Sequence, residues 1–164
     1  MPFRIEVMKT DDWPDVRAIY EEGLATGVGS FEIAAPSWEQ WDRARLLHSR
    51  LVAREDAVLG WAALSPVSQR SCYAGVAEVG IYVAAGARGR GVGRALLEAV
   101  IESAESHGIW TLQGATIAEN AASLSLQARC GFRTVGRRER IAKRDGVWHD
   151  TILTERRSKR IGVD

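Results

Sequence analysis

Residues 3–8 alternate apolar and polar side chains, the period of a short strand. Val16, Ile19, Tyr20 and Leu24 then recur at three- and four-residue steps and predict a helix, with Thr10 as its cap and Pro14 in its first turns; Gly27-Val28-Gly29-Ser30 ends it. Ser37-Trp38-Glu39-Gln40 reads as a capping box opening a second helix, with Trp41, Ala44 and Leu47 or His48 at helical spacing. Two strands, 51–54 and 58–64, flank the turn Glu55-Asp56-Ala57, and 66–70 is a loop. A strand over 76–83 leads into a helix from Gly91 that carries Val92, Leu96, Val100 and Ala104 and stops at Gly108. A strand over 110–117 and a short helix, capped by Asn120 and closed before Gly131, follow. Strands over 132–142 and 147–154 flank the turn Asp145-Gly146. The order β-α-α-β-β-β-α-β-α-β-β predicts a mixed α/β fold.

With 164 residues, the chain has the length of one domain with one core, 1–164. Apolar residues make up 46% and charged residues 26%, a balance that excludes a disordered or fibrous chain. Apolar runs such as 57–64 are far short of the ~20 residues that cross a membrane. The N-terminal residues carry no apolar leader, so a cytoplasmic protein is expected. Two cysteines, Cys72 and Cys130, supply neither a disulfide framework nor a zinc site, and no metal is expected. Cys130 reads as a small core residue, since no histidine is placed to activate it. A net charge of +1 predicts no general attraction to nucleic acid or to anionic membrane, so any anion site is local. The basic tail, 156–164, reads as a solvated end.

That local site is legible between Val83 and Arg94. A strand feeds a glycine-rich loop, and the loop opens into an amphipathic helix. Glycines permit φ > 0 and let backbone amides converge, and the first turn of a helix favours a phosphate. Arg88, Arg90 and Arg94 put three cations within seven residues. Gly86 and Gly91 have the outer spacing of a P-loop, but Val92-Gly93 replaces its lysine and hydroxyl. The dinucleotide fingerprint lacks its third glycine: Arg94 or Leu96 stands there.

Arg88-Gly89-Arg90-Gly91-Val92-Gly93 resembles the R/Q-x-x-G-x-G/A signature of the GNAT superfamily of acyl-CoA-dependent N-acyltransferases, and the element order resembles its fold across nearly the whole chain. The resemblance implies a mixed, mostly antiparallel sheet of about seven strands with a central splay, flanked by four helices. It implies acetyl-CoA as co-substrate, its diphosphate on the amides of Arg88, Gly89, Arg90, Gly91, Val92, Gly93 and Arg94. The pantetheine arm would lie in the splay, with Asn120 bonding to it and the Val83 N–H facing the thioester carbonyl. More narrowly, Ser30-Phe31-Glu32, Arg70, the strand from Glu78 and Gly146-Val147-Trp148-His149-Asp150 look like the phosphinothricin and methionine sulfoximine acetyltransferases. That subfamily acetylates the α-amino group of small amino acids, commonly as homodimers. Where it usually carries a histidine, this chain has Gln127, which cannot protonate a thiolate.

Amide formation from a thioester needs a neutral amine, and an α-amine with a pKa of ~8 is about one-tenth neutral at pH 7, so a weak base suffices. Glu78 is the candidate, sharing a strand face with Gly80 and Tyr82; it reads equally as a surface glutamate at the strand entry. A fixed amide, that of Val83, would hold the oxyanion. Arg70 can bind the acceptor's carboxylate bidentately, or face solvent. Phe31, Glu32 and Trp148 would wall the substrate pocket, with His149 and Asp150 orienting substrate or serving across a dimer interface. Tyr82 reads as a substrate contact or as a packed aromatic. Two rival readings stand: an enzyme of the same superfamily acting on a protein N-terminus or a polyamine, and a non-catalytic acyl-CoA sensor.

Overall fold

The alternating N-terminal segment forms strand β1 (Arg4–Val7), and the periodic segment after it becomes helix α1 (Trp13–Ala25), preceded by a single 3-10 turn whose Asp12 carboxylate accepts from the Lys9 N–H at 2.8 Å. Asp12, not Thr10, is thus the residue that starts the helix. There follow α2 (Trp38–Ala44), β2 (Leu51–Arg54), β3 (Val58–Pro66), β4 (Val76–Val83), α3 (Val92–Ser106), β5 (Thr111–Ile117), α4 (Ala121–Arg129), β6 (Arg133–Arg144) and β7 (Val147–Arg157). The computed structural model describes residues 2–164. Seven strands form one sheet in the order β1-β2-β3-β4-β5-β7-β6; only β4 and β5 run parallel. The seven-strand mixed sheet and four helices expected from the resemblance are present.

The sheet is packed on both faces. On one, Leu96, Leu97, Val100 and Ala104 of α3 cover Leu64, Ala62 and Ala77. On the other, Val16, Ile19, Tyr20 and Leu24 of α1 join Trp41, Val52 and Trp61. Trp61 and Leu96 have no exposed surface, and burying a side chain of this size contributes ~1.5–3 kcal/mol. Tyr82 belongs to the second cluster: its ring stacks on Trp61 at 5.0 Å and meets Tyr20 edge-on at 4.7 Å.

Two sequence expectations fail here for identifiable reasons. Helix α2 stops at Ala44, so Leu47 and His48 lie outside it, and Leu47 is exposed. The Arg50 guanidinium ends the helix by donating to the carbonyls of Asp42, Arg45 and Leu46 at 2.9, 3.1 and 2.7 Å. The tail is a solvated end only in part. Arg156 and Arg160 pair with the buried Glu105 at 3.1 and 3.2 Å, the buried Ser158 hydroxyl donates to the same carboxylate at 2.7 Å, and Arg157 donates to the carbonyls of Ser158 and Ile161. Charge patterning alone conceals a carboxylate on the back of α3 that gathers these cations.

His48 and His107 stack face to face at 4.2 Å. Burial first, and the facing His107 second, hold His48 below the usual imidazole range. The unfolded chain therefore binds more protons than the folded one as the pH falls below about 6.5, and stability present above that value is lost below it. Thermal melting temperature should fall between pH 7 and pH 5.5, and His48→Gln should flatten that slope; an unchanged slope in the variant assigns it to other groups.

Candidate functional site

Strand β4 pairs with β3 along its length from Ala77 to Val83, but with β5 at three positions only, Val76–Thr111, Ala77–Leu112 and Glu78–Gln113. Beyond Glu78 the two strands part. The Ala84 amide donates to the Leu59 carbonyl at 2.8 Å, so by strand alternation the amides of Gly80 and Tyr82 also point to β3, and those of Ile81 and Val83 point into the splay. A strand edge of unpaired amides inside a sheet is unusual, because buried N–H groups require partners. Another extended chain can supply them.

The glycine loop lies at the open end of this splay. Gly89 and Gly91 adopt φ of +76° and +82°, and no atom lies within 4 Å of where a Cβ on either would stand. Gly91 caps α3, whose first helical bond runs from the Ala95 amide to the Gly91 carbonyl at 3.0 Å. The amides of Val92, Gly93 and Arg94 precede it and are free to bind an anion. Gly93 lets α3 approach α4: a Cβ there would meet Leu126 at 3.2 Å. Arg90 pairs with Glu55 at 3.0 Å and Arg94 with Glu98 at 2.8 Å, while Arg88 makes no ion pair among the described residues. Both pairs are solvent-exposed and weak, so either guanidinium can turn to a phosphate. The chemistry of this loop therefore fits a diphosphate.

Glu78 is half-buried, its Oε1 accepting from Gln113 Nε2 at 3.0 Å. It does not share a centre with the Val83 amide. Five residues of strand separate them, ~16 Å, more than a glutamate side chain spans. The Ile81 amide, ~10 Å along the strand from Glu78, is the first one clear of the β4–β5 ladder.

The expected substrate residues divide between the two ends of the splay. At the closed end, Arg70 lies over the ring of Tyr73 at 5.5 Å, and Tyr73 and Gln113 both line a cavity of about 270 Å³. At the open end, Phe31 meets His149 edge-on at 6.2 Å, and His149 stands 3.6 Å from the Glu119 carboxylate. Trp148 does not join Phe31: it points from the other side of β7, 46% exposed, with Arg140 and Lys143 over its ring at 5.6 and 5.0 Å. Its neighbour His149 takes the inward position because side chains alternate along a strand. Glu32 is exposed on its loop. Asp150 is engaged by the Arg140 amide at 2.8 Å and by Arg137 Nε at 2.6 Å, which in that order hold its carboxyl below the usual range.

Three other side chains have structural tasks. The Tyr82 hydroxyl donates to the Gly29 carbonyl at 3.2 Å, and burial pushes its pKa well above the usual phenol range, so it stays protonated and packed. Asn120 caps α4 through the Ser123 amide at 3.2 Å and donates to the Val28 carbonyl at 3.3 Å. The buried Gln127 donates to Thr116 at 2.8 Å and to Ser123 at 3.1 Å, and accepts from Thr154. It pins α4 to the sheet beside Gly114, where a Cβ would stand 2.6 Å from the Gln127 Oε1.

The family model described as the acetyltransferase (GNAT) family matches residues 13–132. The chain is similar to the phosphinothricin N-acetyltransferase of Alcaligenes faecalis, 34% identical over 93% of this chain and 81% of that protein. It is similar to the L-methionine sulfoximine/L-methionine sulfone acetyltransferase of Pseudomonas aeruginosa, 31% identical over 88% of each. Its fold is similar to that of a GNAT superfamily phosphinothricin acetyltransferase from Sinorhizobium meliloti solved in complex with AcCoA, with a TM-score of 0.87 and 26% identity over 96% of this chain and 89% of that one.

Proposed function

The chain belongs to the acetyltransferase (GNAT) family and takes acetyl-CoA as co-substrate, and from that premise we propose that it acetylates the α-amino group of a small amino acid of the phosphinothricin or methionine sulfoximine/sulfone kind by direct attack. One observation carries this reading: Arg70 and Glu78 each contact a wall of the same cavity, Arg70 over the ring of Tyr73 and Glu78 bonded to Gln113. An α-amino acid presents a carboxylate and an ammonium, and these two side chains complement them.

The amides of Val92, Gly93 and Arg94, with Arg88, hold the diphosphate, and the open edge of β4 holds the arm. The Val83 amide pairs with that arm near the loop, while the Ile81 amide stands at the thioester carbonyl and takes the developing negative charge, a donor oriented before reaction begins. Glu78 accepts a proton from the acceptor's ammonium, through water where the distance requires it. The neutral amine forms the C–N bond as the C–S bond breaks. A thiol of pKa ~8.5 leaves tolerably as thiolate near neutral pH, and the amine's second proton neutralises it by way of water. Gln127 needs no part in this. The protein acts as a homodimer in this reading, supported by the exposed apolar side chains Ile141, Val147 and Trp148 on the β6–β7 hairpin.

Thiol release from acetyl-CoA, followed for methionine sulfone, methionine sulfoximine, phosphinothricin, a short peptide and spermidine, tests the assignment. The amino acids should have the highest kcat/KM. Preference for the peptide or spermidine overturns it, and absence of turnover with every acceptor, with acetyl-CoA still bound, identifies a sensor.

A further inference from the structure

The β ladders align Glu78, Gln113, Glu155 and Arg133 as one row across β4, β5, β7 and β6. Directly opposed residues point to the same side of a sheet, so the two glutamates flank Gln113 on one face, two strand spacings or ~10 Å apart at their Cα atoms. Glu78 already leans over β5 to reach Gln113 at 3.0 Å. Glu155 uses its Oε2 for the exposed Arg133, at 3.2 Å, and its Oε1 has no hydrogen bond among the described residues. Gln113 and Glu155 line the 270 Å³ cavity, whose other walls are mainly apolar: Val67, Tyr73, Val76, Val135 and Leu153. Among the described residues no cation lines it, and Arg70 lies over the ring of the lining Tyr73.

From this juxtaposition we propose that Glu155 is the second carboxylate of the acceptor site: it adds negative charge beside Glu78 that draws the acceptor's ammonium to Glu78, and the cavity beside Gln113 takes an uncharged side chain. The proposal rests on the reading of an amino-acid acceptor and narrows it. A second carboxylate near Glu78 raises the local concentration of a cationic acceptor without taking its proton. A side chain with its own negative charge would enter a cavity that offers it no cation and one carboxylate, and desolvating a charge without a partner is unfavourable. Neutral methionine sulfone and sulfoximine suit the cavity, and the anionic phosphinate of phosphinothricin does not. Glu155 is here a positioning and specificity residue. Glu78 alone moves the proton.

The two partners of the Glu155–Arg133 pair separate this role from a structural one. Glu155→Gln should raise KM for methionine sulfone about tenfold, leave kcat and KM for acetyl-CoA within twofold, and narrow the preference for the sulfone over phosphinothricin. Arg133→Ala frees the carboxylate and should lower KM for the sulfone. If the pair only braces the β6–β7 hairpin, both variants weaken the acceptor alike and both lower the melting temperature; that result, or an unchanged KM in Glu155→Gln, overturns the proposal. Wild-type turnover of methionine sulfone in the same assay keeps the broader reading intact in that event, whereas a wild-type protein that acetylates no amino acid ends both.

Discussion

Glu78→Gln is expected to lower kcat at pH 7 by about tenfold to a hundredfold, with KM for acetyl-CoA within twofold of the wild type. A factor of about ten follows from the ammonium alone, since an amine of pKa ~8 is one-tenth neutral at pH 7 and its deprotonation costs ~1.4 kcal/mol. The remainder reflects the proton lost as the C–N bond forms. The loss should shrink as the pH is raised toward 9, where the acceptor deprotonates without help. Glutamine keeps a carbonyl that can accept from Gln113 Nε2, so the β4–β5 contact and the fold persist and the effect reports proton transfer. A pH–rate profile from thiol release decides the matter. Superimposable profiles for variant and wild type would show that Glu78 is not the base.

Gly91→Val should have the largest effect on co-substrate binding, lowering acetyl-CoA affinity by about ten- to a hundredfold in calorimetry. Two causes act together. The φ of +82° is one that a β-branched residue adopts only at a cost of ~1–3 kcal/mol, which the loop can relieve only by moving its amides. The added methyl groups also enter the open space above the loop. Gly86→Ala is the control. Its φ lies outside the left-handed region and a Cβ there meets nothing within 4 Å, so affinity should be nearly unchanged. Equal affinity in Gly91→Val and wild type would move the diphosphate away from this loop.

The fold is legible because its signals are local. The apolar run of 76–83, the helical period from Val92 to Ala104 and the glycine loop between them each depend on a few neighbouring residues, and each element forms where its pattern stands. The errors concern long-range partners. Helix α2 ends early because Arg50, six residues past it, donates to the Asp42 carbonyl of its last turn and to the carbonyls just beyond. The tail reads as solvated because its partner, Glu105, lies 51 residues from Arg156. Site residues divide likewise: the loop follows from chain order, while the separation of Arg70 from Phe31 and His149 depends on strand register. Trp148 and His149 show the limit most clearly. Adjacent in a motif, they face opposite ways in a strand, and only the inward one reaches Phe31.

Helix α3 is held at both ends by different parts of the molecule. Gly91 sets the pitch of its first amides, and Glu105, fourteen residues or ~21 Å away, is clasped by Arg156, Ser158 and Arg160. That segment thereby acts as ballast for the helix behind the glycine loop. A protein trimmed before Arg156 would keep every residue of the loop, yet leave a buried carboxylate stranded on the helix that aims it.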